Sequence, residues 1–189
     1  MASERPSAQV DRIAIEAATQ ALLVAIGEDP TREGLQGTPR RVADFWSEFI
    51  DYNPGNIDVT FESVVTDQMV VVTIDRIWSL CEHHLLPFSC KVRIGYITVG
   101  RVLGLSKFAR LAQLHAHKLQ LQERLVHEIA DEVSTLTGSP DIAVYAHGQH
   151  LCMLMRGIKT SGTMATSIMR GRFRDIPSTR REFFEMGET

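Results

Sequence analysis

The stretch Met69–Val99, MVVVTIDRIWSLCEHHLLPFSCKVRIGYITV, decides how the chain is read. Its first part, MVVVTIDRIWSL, is rich in β-branched residues, and CKVRIGYITV alternates through Val92, Ile94 and Tyr96. Both textures predict strands. Between them, CEHHLLPFSC (81–90) packs two sulfurs, two imidazoles and a carboxylate into ten residues around an apolar run.

Upstream the periodicity changes to helical. Val10, Ile13, Ala14, Ala17, Ala21 and Val24 recur at that spacing from about Ala8 to Ile26, with Ser7 as candidate cap and Gly27 as the stop. In GTPRRVADFWSEFIDY, Thr38 is the expected cap and Pro39 the first helical position, with Val42, Phe45, Trp46 and Phe49 on the apolar face. YNPGN then ends this helix. Downstream, a helical region runs from Ser106 to about Leu136, with a break expected near His117–Gln120 and a stop at TGSP. DIAVYAHGQHLCMLMRGI reads as a strand pair with Gly148 at a bend or bulge, TMATSIMRG as a further strand, and TRREFFEM as a short terminal helix. The order implies an α+β fold with a largely antiparallel sheet. A helical segment, 1–57, precedes the main unit, 58–189.

Bulk properties narrow the function. A chain of 189 residues, 44% apolar, can bury a real core. A formal charge of −3 gives no global basic field for nucleic acid or a membrane, so an anionic ligand needs a local basic pocket. Three cysteines do not suggest a disulfide framework and fit a reducing compartment. With no apolar leader and no run of transmembrane length, the expectation is a cytoplasmic protein.

Three clusters carry chemistry. Cys81 and His84, separated by two residues, can be aimed at one metal ion by a turn; a third ligand could come from Cys90 or from His150 and Cys152 in HLC. On a strand, His150 and Cys152 would face the same way. In GLSKFAR, Ser106 can cap the long helix while Lys107 and Arg110 share a face, a combination suited to phosphate; Arg156 would add a third cation. In LQLQERL, Gln122 and Glu123 are most simply a solvated pair, but a carboxylate there can also accept two adjacent N–H donors of a guanine.

Taken together, GTPRRVADFW, CEHHLLPF, KVRIGYI, VLGLSKFARL, LQERL, HLCMLMRG and TRREFF resemble the GTP cyclohydrolase I family, in order and over nearly the whole chain. The resemblance implies a T-fold (tunnelling fold), a toroidal homodecamer with active sites between subunits, and conversion of GTP to 7,8-dihydroneopterin triphosphate and formate. It makes Cys81, His84 and Cys152 the Zn2+ ligands, and His83 and His150 the acid–base pair. Glu123 and Gln122 would recognise guanine. Ser106, Lys107, Arg110 and Arg156 would hold ribose and triphosphate, with Arg41 reaching in from a neighbouring subunit. Cys90 stands where that family carries a small residue and is expected to be a buried thiol. His147 is expected at a surface or interface, unless a bulge at Gly148 turns it. Two rival readings are a T-fold nitrile reductase, which would use a cysteine nucleophile and NADPH, and a nucleotide-binding regulator without turnover.

Overall fold

The computed structural model describes residues 10–186. The chain divides into two compact units, one ending at Asn53 and the other beginning at Pro54.

The first unit is a helical pair, α1 (Arg12–Ala25) and α2 (Thr38–Ile50). Asp11 caps α1, its carboxylate accepting from the Ala14 N–H at 2.9 Å. The expected start at Ser7 and Ala8 lies outside the described residues. The cap of α2 is Gly37 and not Thr38. Gly37 already has near-helical backbone angles (φ −91°, ψ −1°), so the helix opens one residue early. Arg12 pairs with Asp44 across the two helices.

The second unit runs β1 (Thr60–Cys81), β2 (Pro87–Leu103), α3 (Leu105–Ala116), β3 (Leu119–Gln120), α4 (Gln122–Thr137) and β4 (Ile142–His150). It continues through α5 (Leu151–Leu154), β5 (Met164–Met169), α6 (Arg172–Asp175) and α7 (Pro177–Glu185). The sheet order is β3-β1-β2-β4-β5. Every pairing is antiparallel except that of β3, which runs parallel to β1.

Alternation along the strands divides the core. Val92, Ile94 and Tyr96 of β2, with Val144 and Ala146 of β4, face Phe108 and Leu111 of α3 and Leu125, Ile129 and Val133 of α4. The opposite face is covered near Ile97 and Ala143 by Phe173 and Phe183 of the last two helices. Gly138, with φ +74°, ends α4 in the left-handed conformation that glycine adopts without strain.

Two expectations change here. Ser106 does not cap α3: the chain is still extended at Gly104, the helix starts at Leu105, and no side chain caps it. The predicted strand pair is one strand followed by a helical turn. The β4 ladder on β2 runs without a shift from Ile142 to His150, so Gly148 forms no bulge. It ends opposite Phe88, next to Pro87, which begins β2 and offers no N–H for further pairing. Without a partner, Leu151–Leu154 closes its hydrogen bonds locally instead.

A polar network ties the end of β1 to the helices. Gln120, fully buried, donates from Nε2 to the His115 carbonyl and to Glu128 Oε2, both at 2.9 Å. Its Oε1 accepts from Arg124 Nε at 2.6 Å, and Arg124 reaches on to Glu82. Lys118 Nζ donates to Glu128 Oε1 at 2.7 Å. Burial opposes ionisation of Glu128. Hydrogen bonds from His115, Lys118 and Gln120, with the charge of Lys118, outweigh that and hold its carboxyl down at about 2.

A depressed folded value means that the carboxylate adds stability above its ordinary value of 4.5 and loses it as pH falls through about 2. Glu128→Gln should therefore lower stability at pH 7 by about 1–3 kcal/mol, the scale for hydrogen bonds to a charged group. The gap to the parent should close between pH 4.5 and 2. Thermal unfolding across that range checks this; a gap that persists unchanged to pH 2 contradicts it.

Candidate functional site

The site begins with a turn. The Cys81 N–H donates to the Leu86 carbonyl at 2.9 Å, and the Cys81 carbonyl accepts from the N–H groups of His84 (3.3 Å) and Leu85 (2.9 Å). This winds residues 81–86 tightly enough that Leu85 takes φ +54°, a strained conformation for a residue with a side chain. Glu82 is anchored at both ends, its N–H donating to the Gln120 carbonyl at 3.2 Å and its carboxylate accepting from Arg124.

Cys81 is buried at the end of β1, while His83 and His84 are exposed on the turn. The Cys81 sulfur lies 4.0 Å from His84 Nδ1 and 3.9 Å from His83 Nδ1. Cys152, on the helical turn after β4, completes the group. One ligand atom from each of Cys81, His84 and Cys152 lies within 4.8 Å of the others, an arrangement able to hold a metal ion. Burial raises the Cys152 pKa, and the neighbouring Cys81 raises it further, since two thiolates side by side repel. The expected route for Cys152 was an extended strand shared with His150; a helical turn delivers it instead.

Cys90 is no part of this group. It is buried on β2, and burial pushes its thiol up to about 12, which keeps it protonated. His147 is exposed, paired in register with Lys91 and Ala165.

His150 ends β4 half-buried, with its ring parallel to Phe88 at 4.6 Å and an interplanar angle of 4°. Burial lowers its pKa, partly offset by the negative charge of Glu123. Glu123 is exposed in the first turn of α4, whereas Gln122 is fully buried and bonded to His150. Arg156 Nη1 donates to His84 Nε2 in a close contact.

Of the remaining predicted residues, Lys107, Arg110 and Arg41 have partners of their own. Ser106 and Lys107 lie near the start of α3, whose far end, Ala116, docks by its carbonyl on the Ser79 hydroxyl at 2.6 Å. From Lys107 to Ala116 the helix rises about 14 Å, at 1.5 Å per residue. Lys107 Nζ donates to the Asn56 carbonyl at 2.7 Å, and Arg110 donates to the Pro54 carbonyl. Arg41, in the first unit, folds back on Thr38 Oγ1 at 3.1 Å.

Sequence reasoning passed over Gln120, Arg124 and Glu128, which support the turn from below. Their signal was present, since all three recur at four-residue spacing. Gly148 was read for its flexibility, but what matters is its lack of a side chain. A Cβ there would stand 2.5 Å from Gln122 Oε1 and 2.9 Å from the Cys90 Cβ.

The chain is 43% identical over 179 residues to GTP cyclohydrolase 1 of Hyperthermus butylicus, covering 95% of this chain and 92% of that one. It is 43% identical to GTP cyclohydrolase 1 of Alkalilimnicola ehrlichii (93% and 97% covered) and 45% identical to that of Deinococcus radiodurans (89% and 81%). The model for the family described as GTP cyclohydrolase I matches residues 15–188, and the chain belongs to that family.

Proposed function

We propose that this protein opens the imidazole ring of GTP at C8 by hydrolysis, releases formate, and rearranges the remainder to 7,8-dihydroneopterin triphosphate. The observation that carries this reading is the meeting of Cys81, His84 and Cys152 beside the His83 imidazole, in a chain of this family. Overall, GTP and one water become formate and the pterin triphosphate.

The donor set fits zinc. Two sulfurs and one imidazole leave a fourth tetrahedral position open, as a catalytic zinc site requires. Metal–ligand lengths of about 2.0–2.3 Å would set ligand atoms about 3.5–3.8 Å apart, a little closer than the 4.0 Å between the Cys81 sulfur and His84 Nδ1. A zinc ion held by Cys81, His84 and Cys152 would supply Lewis acidity that makes water a competent nucleophile near neutral pH.

The protein's own groups do the rest. C8 of guanine is a poor electrophile until a proton is delivered near N7, and an imidazole suits that role. His83 lies beside Cys81 on the exposed turn, and His150 sits half-buried against Phe88. Two imidazoles of different exposure allow one to give a proton while the other takes one, first in ring opening and later in the Amadori-type rearrangement of the ribose. Glu123, exposed at the start of α4, accepts from N1–H and the exocyclic amine of guanine. Arg156 pairs with the triphosphate.

Ser106, Lys107 and Arg110 reach the same pocket from a neighbouring copy, as does Arg41. The family likeness supports this, and it implies a homo-oligomer, a decamer. A cytoplasmic setting and a place in one-carbon and tetrahydrofolate metabolism complete the reading. Among the described residues no helix is long and apolar enough to cross a membrane.

Zinc-loaded protein incubated with GTP should release formate and, after oxidation, show pterin fluorescence; a loaded oligomer that does neither is a binder and not this enzyme. In that assay His83→Ala should keep zinc but lose most turnover, whereas His84→Ala should lose the metal itself. Equal zinc retention by both would break the division of labour.

Glu123→Gln turns an acceptor into a donor facing guanine's own donors. At about 1–3 kcal/mol for the unmatched group, GTP affinity should fall roughly 5- to 150-fold. Unchanged affinity would remove Glu123 from guanine recognition.

A further inference from the structure

Gln122 opens α4 and has no exposed surface. Its carboxamide nitrogen lies 3.2 Å from the Ala146 carbonyl oxygen, 3.0 Å from that of Met164 and 3.1 Å from Thr166 Oγ1. The carboxamide oxygen lies 3.1 Å from His150 Nε2. Turning the amide over would set oxygen against two carbonyl oxygens, leaving buried acceptors without donors. The NH2 group is therefore committed to the sheet and the oxygen to His150.

That oxygen can only accept. His150 Nε2 must carry the hydrogen, and in a ring with one hydrogen the lone pair then lies on Nδ1. Phe88 fixes the plane of the ring by stacking at 4.6 Å. Gly148 gives the carboxamide its seat. A Cβ at 148 would stand 2.5 Å from Gln122 Oε1 and 2.9 Å from the backbone oxygen of Ser89, so a larger residue must push the amide aside.

We infer that Gln122, seated against Gly148, is a positioning residue that holds the His150 ring as the Nε2–H tautomer, with its lone pair on Nδ1. This rests on the proposed role of His150 in proton transfer. It also gives Gln122 a task other than the guanine contact expected from sequence, because a fully buried amide does not reach a base in the pocket.

The test uses the full-length, zinc-loaded protein labelled with 15N in the histidine rings, studied by solid-state NMR, with His150→Asn identifying the His150 signals. The parent should show a protonated Nε2 and an unprotonated Nδ1. Gln122→Met, similar in size but without donor or acceptor, should lose that preference, and so should Gly148→Ala. Both should lower kcat for GTP by about 10- to 100-fold, the usual cost of lost outer-shell support, with KM little changed. An Nδ1–H tautomer in the parent overturns the inference, even if either variant fails to fold. A raised KM with unchanged kcat in Gln122→Met also overturns it, in favour of a guanine contact. Absence of formate release from the parent would sink the proposed function, while the ring spectrum would still decide where the hydrogen lies.

Discussion

Strand β2 is paired on both sides, and at one residue, Phe88, the two pairings meet the site. Phe88 stands opposite Ser79 of β1 on one side and His150 of β4 on the other. Cys81 follows Ser79 by two residues, and Cys152 follows His150 by two. The same rung of the sheet therefore brings both sulfurs to one end. A slip of one residue in either pairing would send the alternating side chains to the wrong face. Phe88 resists such a slip because it is fully buried in the core and stacked on His150.

Holding the strands in register still leaves the turn after Cys81 to be fixed. A turn that carries two exposed imidazoles and a residue at positive φ has little apolar surface with which to anchor itself. Its support comes from below, through Glu82, Arg124, Gln120 and Glu128, each a partner of the next. The chain of partners ends on Lys118 and His115, so no carboxylate in it is left facing apolar surroundings alone. The β4 side uses the same economy. Gln122 satisfies sheet carbonyls and the His150 ring at once, in a space that only glycine at 148 leaves open.

Much of this was legible in the residues. The β-branched texture of Met69–Leu80 and the alternation of Val92, Ile94 and Tyr96 marked the central strands, and TGSP marked the end of α4. The linked motifs pointed to the family that the relatives show. Helix starts were less legible: Thr38 and Ser106 look like caps, but backbone geometry at Gly37 and Gly104 sets the boundaries. The segment LCML was misread because a short apolar run fits strand and helix equally, and only the end of pairing at Pro87 decides between them. Gln122 and Glu123 are adjacent and alike in polarity. Which one turns inward depends on how the chain leaves β3 to begin α4, a tertiary fact that no local pattern encodes.

Two sulfurs and one imidazole sharing one ion are the centre of the proposed chemistry. Zinc K-edge X-ray absorption of the loaded protein reads that directly. The expected first shell holds two sulfurs at about 2.3 Å, with nitrogen and oxygen at about 2.0–2.1 Å. A shell without sulfur would remove the metal from Cys81 and Cys152, and a shell with three would bring in Cys90 and contradict its place in the core.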